Sequence, residues 1–270
     1  MLPEWLHRAL RLPYLLKTTS RGKGPTVVLL HGLASNQRVW KKVVEELEQH
    51  HRCVTLDLLG HGDSPKPPHL RYTVEDHLRS IRWTLFWHGV WRPFTLVGFS
   101  MGSIIGTHFA AAYPRRLKQL IVLALPIYRK RDSVKNLKRF EGMLDAGYLA
   151  YYTALRHAPK RWSVNSASRL KRAFSLDDEQ MRLDDETWYP VVSSLQNTIE
   201  SQSVLTDISR LPAALPVTVA YGSLDILVIS SNLKYAFQDR PNTEFVRVLS
   251  GHEVSRRFGR AVIEAVRRSS

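Results

Sequence analysis

The chain has 270 residues, of which 44% are hydrophobic, and it carries a formal net charge of +15. This length suits one large or two smaller domains with a sizeable core, and no stretch reaches the roughly 20 apolar residues of a membrane-spanning helix. The single cysteine, Cys53, excludes a disulfide within the chain. That fits a reducing compartment, so we expect a cytoplasmic protein. The positive charge favours acidic surfaces, but no nucleic-acid-binding signature accompanies it, and we expect no nucleic acid partner.

The first ten residues predict a short amphipathic helix with Leu2, Trp5, Leu6 and Ala9 on one side. Proline, glutamate, histidine and arginine interrupt this segment, which is not typical of a secretory signal. A single short helix binds membranes weakly unless a second signal assists it. We therefore expect this helix to pack against the domain, with contact to a membrane surface as the less favoured alternative.

After the first helix, apolar strand-like segments alternate with helical ones. The predicted strands are 26–30, 52–58, 94–97, 117–125, 216–222 and 243–249, with 14–18 as one strand of a leading hairpin, and the main predicted helices are 39–50, 73–88, 104–112, 230–237 and 253–268. Strands that are apolar on both faces are typical of a parallel sheet. We predict an α/β fold with a mostly parallel, doubly wound sheet, whose strand carboxyl ends share the edge where ligands bind.

The predicted strand at 94–97 runs directly into the pattern Gly98-x-Ser100-x-Gly102. A serine between a strand and a helix is held in a sharp turn that exposes its hydroxyl, and the flanking glycines let two backbones approach. The helix that follows directs its first N–H groups toward developing negative charge. The setting favours Ser100 as a nucleophile over an incidental serine in a glycine-rich turn.

Two residues downstream have the chemistry to activate that serine. A serine hydroxyl needs a base to take its proton, and the base works better when a carboxylate orients it. Asp225 follows the strand at 216–222, and His252 follows the last strand. We predict the set Ser100, His252 and Asp225, with Asp132, shortly after the strand at 117–125, as the alternative acid.

Between residues 127 and 206 the alternation stops, and only helix-like segments remain, at 134–145, 147–156, 168–174 and 188–202. An insertion at the ligand edge predicts a helical cap over 127–206, and 1–126 with 207–270 would form the core. From Arg129 to Arg172 the cap holds twelve lysines and arginines against three acidic residues. We interpret this run as a solvated face; attraction of an anionic substrate or a membrane is the alternative.

Taken together, these motifs resemble the α/β-hydrolase fold family, in particular its cap-bearing branch of serine esterases and carbon–carbon bond hydrolases. The turn His31-Gly32-Leu33 is similar to the family's oxyanion turn, and residues 57–64 are similar to its Asp-x-x-Gly-His-Gly-x-Ser loop. We interpret His31 and His61 as loop-shaping residues, since each precedes a glycine in a turn.

The resemblance implies that the cap follows the sixth strand and that the backbone N–H groups of Leu33 and Met101 form an oxyanion hole. It implies hydrolysis of a small ester or acyl substrate through an acyl-enzyme, without a cofactor or a metal. An anionic substrate is compatible with this reaction. Carbon–carbon bond hydrolysis, acyl transfer and perhydrolysis on the same three residues remain alternatives. A non-catalytic receptor with a capped pocket is a further alternative, and the oligomeric state is open.

Overall fold

A computed structural model of the protein describes residues 3–127 and 185–269. Its centre is a seven-stranded sheet with the order β1-β3-β2-β4-β5-β6-β7. The strands are β1 (Thr18–Arg21), β2 (Thr26–Leu30), β3 (Arg52–Leu56), β4 (Phe94–Phe99), β5 (Leu117–Leu123), β6 (Val217–Gly222) and β7 (Thr243–Val248). The α-helices are α1 (Glu4–Leu10), α2 (Lys41–Leu47), α3 (Val74–Trp87), α4 (Met101–Ala112), α5 (Asp185–Ser194), α6 (Val204–Arg210), α7 (Ser230–Ala236) and α8 (Arg256–Arg268).

All neighbouring strands in the sheet are parallel except β1, which pairs antiparallel with β3. Every residue of β4 and β6 is buried, as expected of central strands covered on both faces. The shared direction places the carboxyl ends of β2 to β7 at one edge. The predicted mostly parallel α/β sheet is therefore confirmed.

Helices cover both faces of this sheet. In β5, the side chain of Gln119 donates a hydrogen bond to Ala265 O of α8, whereas the next residue, Leu120, lies beside Gly106 of α4. Successive side chains of a strand point to opposite faces, so α8 and α4 lie on opposite sides. Helix α2 packs on α8, and α3 and α6 pack on α4. The sheet is doubly wound as predicted.

The first strand lies further along the chain than predicted. Residues 14–18 were expected to form it, but β1 spans Thr18–Arg21. The backbone N–H groups of Leu16 and Lys17 donate to the hydroxyls of Thr84 and Ser64 instead of to a neighbouring strand. Only one strand thus precedes β2, and the predicted cap follows β5, the fifth strand of this sheet.

Helix α1 forms where it was predicted but contacts the domain through a different face. Trp5 and Ala9 are exposed, and His7 is the buried residue. Its ring stacks on Tyr14 at a centroid distance of 4.0 Å, and Arg79 of α3 donates a hydrogen bond to Arg11 O just beyond α1. The prediction that Trp5 and Ala9 make the packing face is wrong.

The predicted cap helices at 134–145, 147–156 and 168–174, and Asp132, lie outside the described residues. The segment predicted as a helix at 188–202 is α5 followed by a π-helix, Leu195–Glu200. The hydroxyls of Ser193 and Thr198 donate to Arg71 O and Tyr72 O at 2.8 Å, so this segment is tied to the core. Among the helices of the described ranges, none is both long and apolar enough to cross a bilayer.

Candidate active site

Ser100 occupies the turn between β4 and α4 in a strained backbone conformation. Its φ is 52° and its ψ is −117°, a region that residues other than glycine rarely adopt. The turn is held from the neighbouring strand, because Ser100 N donates to Leu123 O of β5 at 2.9 Å. Such strain typically costs on the order of 1–3 kcal/mol and persists where the surroundings impose it. The predicted strand–turn–helix setting of Ser100 is confirmed.

The two glycines of the motif allow close backbone contacts. A Cβ on Gly98 would lie 2.3 Å from the carbonyl oxygen of Gly102, and a Cβ on Gly102 would lie 2.5 Å from Leu30 O. Both distances are shorter than any van der Waals contact permits. Glycine at these positions therefore lets the turn close and sit against the end of β2.

His252 lies between Ser100 and Asp225. Its Nε2 is 2.9 Å from Ser100 Oγ, and its Nδ1 is 2.8 Å from Asp225 Oδ2. The carboxylate can only accept, so Nδ1 carries the proton it shares with Asp225, which leaves Nε2 to accept from the serine hydroxyl. The other carboxylate oxygen accepts from Leu227 N at 2.9 Å. The structure thus brings the three predicted residues together in hydrogen-bonding geometry.

The loops that carry His252 and Asp225 are joined to each other. Ser223 N donates to Val248 O, and Leu224 N donates to Ser250 O. A Cβ on Gly222 would lie 2.3 Å from Ser250 O, so the end of β6 can approach the loop after β7 only with glycine there. This contact sets the separation of His252 and Asp225. Sequence reasoning identified neither Gly222 nor the Leu227 backbone as part of the site, and a backbone donor has no side-chain signature.

The His31-Gly32-Leu33 turn packs directly against the nucleophile. A Cβ on Gly32 would lie 3.3 Å from Ser100 Cβ. His31 holds this turn, since its Nδ1 donates to Gly32 O at 2.7 Å and its Nε2 accepts from Leu58 N at 2.9 Å. Met101 is the first residue of α4, where N–H groups lack partners within the helix. The oxyanion hole of Leu33 and Met101 stays a prediction.

The other charged and titratable residues near this edge support the loops. Asp57 accepts from Gln37 N at 2.7 Å and from Asp63 N at 2.8 Å. Burial lowers the pKa of His31 to about 4 and that of His61 to about 3, so both rings are neutral at physiological pH. The loop-shaping interpretation agrees with the hydrogen bonds of His31 and with that of His61, whose Nδ1 donates to Leu59 O at 3.0 Å. Within residues 3–127 and 185–269, no three potential metal ligands converge.

Comparison with known proteins agrees with this architecture. A family model described as alpha/beta hydrolase fold matches residues 25–255. The chain is 27% identical over 232 residues to a pimeloyl-(acyl-carrier protein) methyl ester esterase of Aeromonas salmonicida. This alignment covers 75% of this chain and 89% of the relative. An enzyme of the same name from Pseudoalteromonas atlantica is 35% identical over 113 residues, which cover only 40% of each chain.

Among solved structures, the enol-lactonase from Burkholderia xenovorans LB400 superposes with a TM-score of 0.71 at 17% identity. The superposition covers 94% of this chain and 95% of the lactonase, and it shows a shared fold. Because the family model matches well over half of its residues, the chain belongs to the alpha/beta hydrolase fold family.

Proposed function

We propose that the protein hydrolyses a small carboxylic ester through an acyl-enzyme formed on Ser100. The observation that carries the proposal is the position of His252, whose two ring nitrogens lie 2.9 Å from Ser100 Oγ and 2.8 Å from Asp225 Oδ2. This is the geometry that a serine nucleophile, its base and an orienting carboxylate require. The esterase relatives support an ester as the substrate class.

In the first half of the reaction, His252 Nε2 takes the proton of Ser100 Oγ as this oxygen attacks the ester carbonyl. The C–O bond then breaks, and the alcohol leaves with the proton that His252 returns. In the second half, His252 deprotonates a water that attacks the acyl carbon, which releases the acid and restores Ser100. Asp225 stabilises the imidazolium in both halves.

The oxyanion of each tetrahedral intermediate would accept hydrogen bonds from the backbone N–H groups of Leu33 and Met101. Gly32 supports this assignment, because a Cβ on this residue would lie 3.3 Å from Ser100 Cβ, so the turn runs beside the nucleophile. One such donor is typically worth on the order of 10²–10³ in rate.

The test is turnover of p-nitrophenyl acetate and p-nitrophenyl butyrate by the wild type and by Ser100→Ala. We expect Ser100→Ala to lower kcat by on the order of 10⁴-fold or more. The control is Ser209→Ala, an exposed serine of α6 that is expected to retain the wild-type rate. Equal turnover by the wild type and Ser100→Ala would contradict the proposal.

A fluorophosphonate probe separates the alternative functions. Labelling of wild type and loss of labelling in Ser100→Ala are expected, because the probe reacts with an activated serine. Labelling without ester turnover would contradict ester hydrolysis and favour carbon–carbon bond hydrolysis, acyl transfer or perhydrolysis. If the wild type shows no labelling and no turnover, catalysis itself is contradicted and the receptor alternative is favoured.

A further inference from the structure

An exposed cluster of aromatic side chains lies at the end of α3. It consists of Trp83, Phe86 and Trp87 of this helix and of Trp91 beyond it, and we call it the aromatic patch. Phe86, Trp87 and Trp91 are 56%, 62% and 65% exposed. The rings of Trp83 and Trp87 are 5.7 Å apart, and those of Phe86 and Trp91 are 6.1 Å apart. The four side chains thus form one continuous surface, and contiguous apolar surface of this kind marks an interaction site.

The backbone beneath the patch is fixed by hydrogen bonds. Trp91 Nε1 donates to Phe86 O at 3.0 Å. The guanidinium of Arg116 donates to Val90 O and Trp91 O, and that of Arg52 donates to His88 O. The turn that presents Trp91 is therefore held from the first residue of β3 and from the residue before β5. The patch is preformed, so docking would require little ordering.

Arginines are the charged residues that adjoin the patch in its cavity. No aspartate or glutamate occurs between Asp76 and Asp132 in the sequence. A cavity of about 460 Å³ is lined by Trp83, Phe86 and Trp91 and by Arg79, Arg82 and Arg116, and no acidic residue is among the described residues that line it. Together with the exposed Arg92, which follows Trp91, these three arginines form what we call the arginine rim.

The patch lies on the opposite edge of the sheet from Ser100. Arg52 begins β3, and Arg116 directly precedes β5, so the turn they hold is at the amino ends of the strands. Ser100 follows the last residue of β4 and is at their carboxyl ends. A partner on the aromatic patch would leave the candidate active site uncovered.

Tryptophan and arginine together match the chemistry of one partner, the interface of an anionic bilayer. Tryptophan rings favour the depth of the lipid headgroups. Arginine side chains lay their apolar stems along such a surface and direct their charge to phosphate groups. A second copy of this chain fits less well, because two cationic rims on proteins of charge +15 would repel each other.

We propose that the aromatic patch and the arginine rim dock the protein onto bilayers that contain anionic phospholipids, with the Ser100 edge directed away from the lipid. The rings of Phe86 and Trp87 enter the headgroup region. Arg82 and Arg92 attract the anionic headgroups. This surface is independent of the proposed ester hydrolysis, so either assignment can fail without the other.

The test is cosedimentation of the full chain with vesicles of phosphatidylcholine and phosphatidylglycerol, and with vesicles of phosphatidylcholine alone. We expect binding to the anionic vesicles at low ionic strength and release by salt, because exposed charges are screened over about 10 Å in 0.1 M salt. The variant Arg82→Gln, Arg92→Gln is expected to bind roughly 30-fold more weakly, and the variant Phe86→Ser, Trp87→Ser at least about tenfold more weakly.

Matched variants separate this surface from net charge and from folding. Lys41→Gln, Lys42→Gln removes the same charge from α2, on the other face of the sheet, and is expected to change binding by less than about threefold. Arg82→Lys, Arg92→Lys keeps the charge and should retain binding. All variants should keep the far-UV circular dichroism spectrum of the wild type, which reports on their folding independently of any ester hydrolysis.

Three results would overturn the proposal. The first is a wild type that does not sediment with anionic vesicles at low ionic strength. The second is wild-type binding by Phe86→Ser, Trp87→Ser. The third is a wild type that forms a concentration-dependent dimer and binds no lipid, while Phe86→Ser, Trp87→Ser stays monomeric. This result would assign the patch to self-association.

Discussion

His252 and Asp225 lie on different loops, and Nδ1 of the histidine is 2.8 Å from Oδ2 of a carboxylate whose side chain is fully covered by protein. Leu227 N holds the second carboxylate oxygen at 2.9 Å. Asp225 is thus fixed from two sides, and it can set both the orientation and the tautomer of His252. A carboxylate in this position is expected to matter for rate more than for folding.

Asp225→Asn tests this relationship. The amide keeps the shape of the side chain but can donate a hydrogen bond to Nδ1. The histidine proton would then be on Nε2, and a protonated Nε2 cannot accept from the Ser100 hydroxyl. We expect kcat for p-nitrophenyl butyrate to fall by roughly 10⁴-fold with little change in the melting temperature. Asp239→Asn, at an exposed aspartate, serves as the control and should retain the wild-type rate.

Asp132→Asn decides between the two acids that the sequence left open. If Asp225 orients His252, Asp132→Asn should hydrolyse the same ester at nearly the wild-type rate. A large loss of kcat in Asp132→Asn together with an active Asp225→Asn would assign the role to Asp132 instead.

The glycine at position 102 is predicted to be required for the turn at Ser100. In Gly102→Ala the new methyl group would lie 2.5 Å from Leu30 O and 2.6 Å from His31 O, so the backbone must shift. We expect a loss of roughly 1–3 kcal/mol in the free energy of unfolding and reduced ester turnover. Gly106→Ala is the control on the same helix, because the atoms nearest to its Cβ would be in the side chains of Leu96 and Leu120, at 3.6–3.8 Å. That variant should be neutral or slightly more stable, and equal effects of the two substitutions would contradict the packing described.

Buried histidines are predicted to make the fold sensitive to acid. Burial lowers the pKa of His31 to about 4, that of His61 to about 3, and that of His77 below its ordinary value. Below pH 6.5 the unfolded chain therefore binds more protons than the folded one, so stability falls as the pH falls toward the folded-state pKa values. Each histidine contributes up to about 1.4 kcal/mol per pH unit in that range.

Urea unfolding of the wild type between pH 8 and pH 5 measures this effect, and His77→Leu isolates one histidine. His77 Nδ1 is buried without a hydrogen-bond partner, and Nε2 lies 3.5 Å from Ser194 Oγ, so leucine forfeits one long hydrogen bond at most. We expect the variant to lose less stability on acidification than the wild type, by up to about 1.4 kcal/mol per pH unit. The same pH dependence in both proteins would refute the assignment.

His108 is predicted to act in the opposite direction. Its Nδ1 lies 3.0 Å from Asp207 Oδ2, and this hydrogen bond raises the pKa of His108 above its ordinary value of 6.5, with the charges of Asp207 and Glu75 adding to the effect. The stabilisation is complete below pH 6.5 and is lost as the pH rises through the folded-state pKa.

His108→Leu should therefore destabilise the protein more at pH 6 than at pH 9, as measured by urea unfolding at both values. The pair joins α4, which follows Ser100, to α6, so loss of the pair loosens the packing of α6 on α4. An equal loss of stability at the two pH values would show that packing, and not the charged imidazole, accounts for the effect.

Local patterns in the sequence predicted local structure well. Thr73 and Asp76 have the three-residue spacing of a capping box, and each side chain accepts from the other's backbone N–H, at 3.2 and 3.1 Å. The position of β1 was predicted wrongly because the partners of Leu16 and Lys17 are the hydroxyls of Thr84 and Ser64. These partners lie 68 and 47 residues away, beyond the reach of any local pattern.

The sequence by itself determined the turn at Ser100, because a strand, two glycines and a helix within a few residues leave the serine one conformation. It also determined that the strands are parallel and end at one edge of the sheet. Asp225 and His252 each follow a strand, so both were expected near that edge. Only the tertiary structure decided that His252 meets both Asp225, which is 27 residues away in the sequence, and Ser100, which is 152 residues away. Their distance depends on how closely Gly222 approaches Ser250 O, a packing contact between loops, which no spacing along the chain encodes.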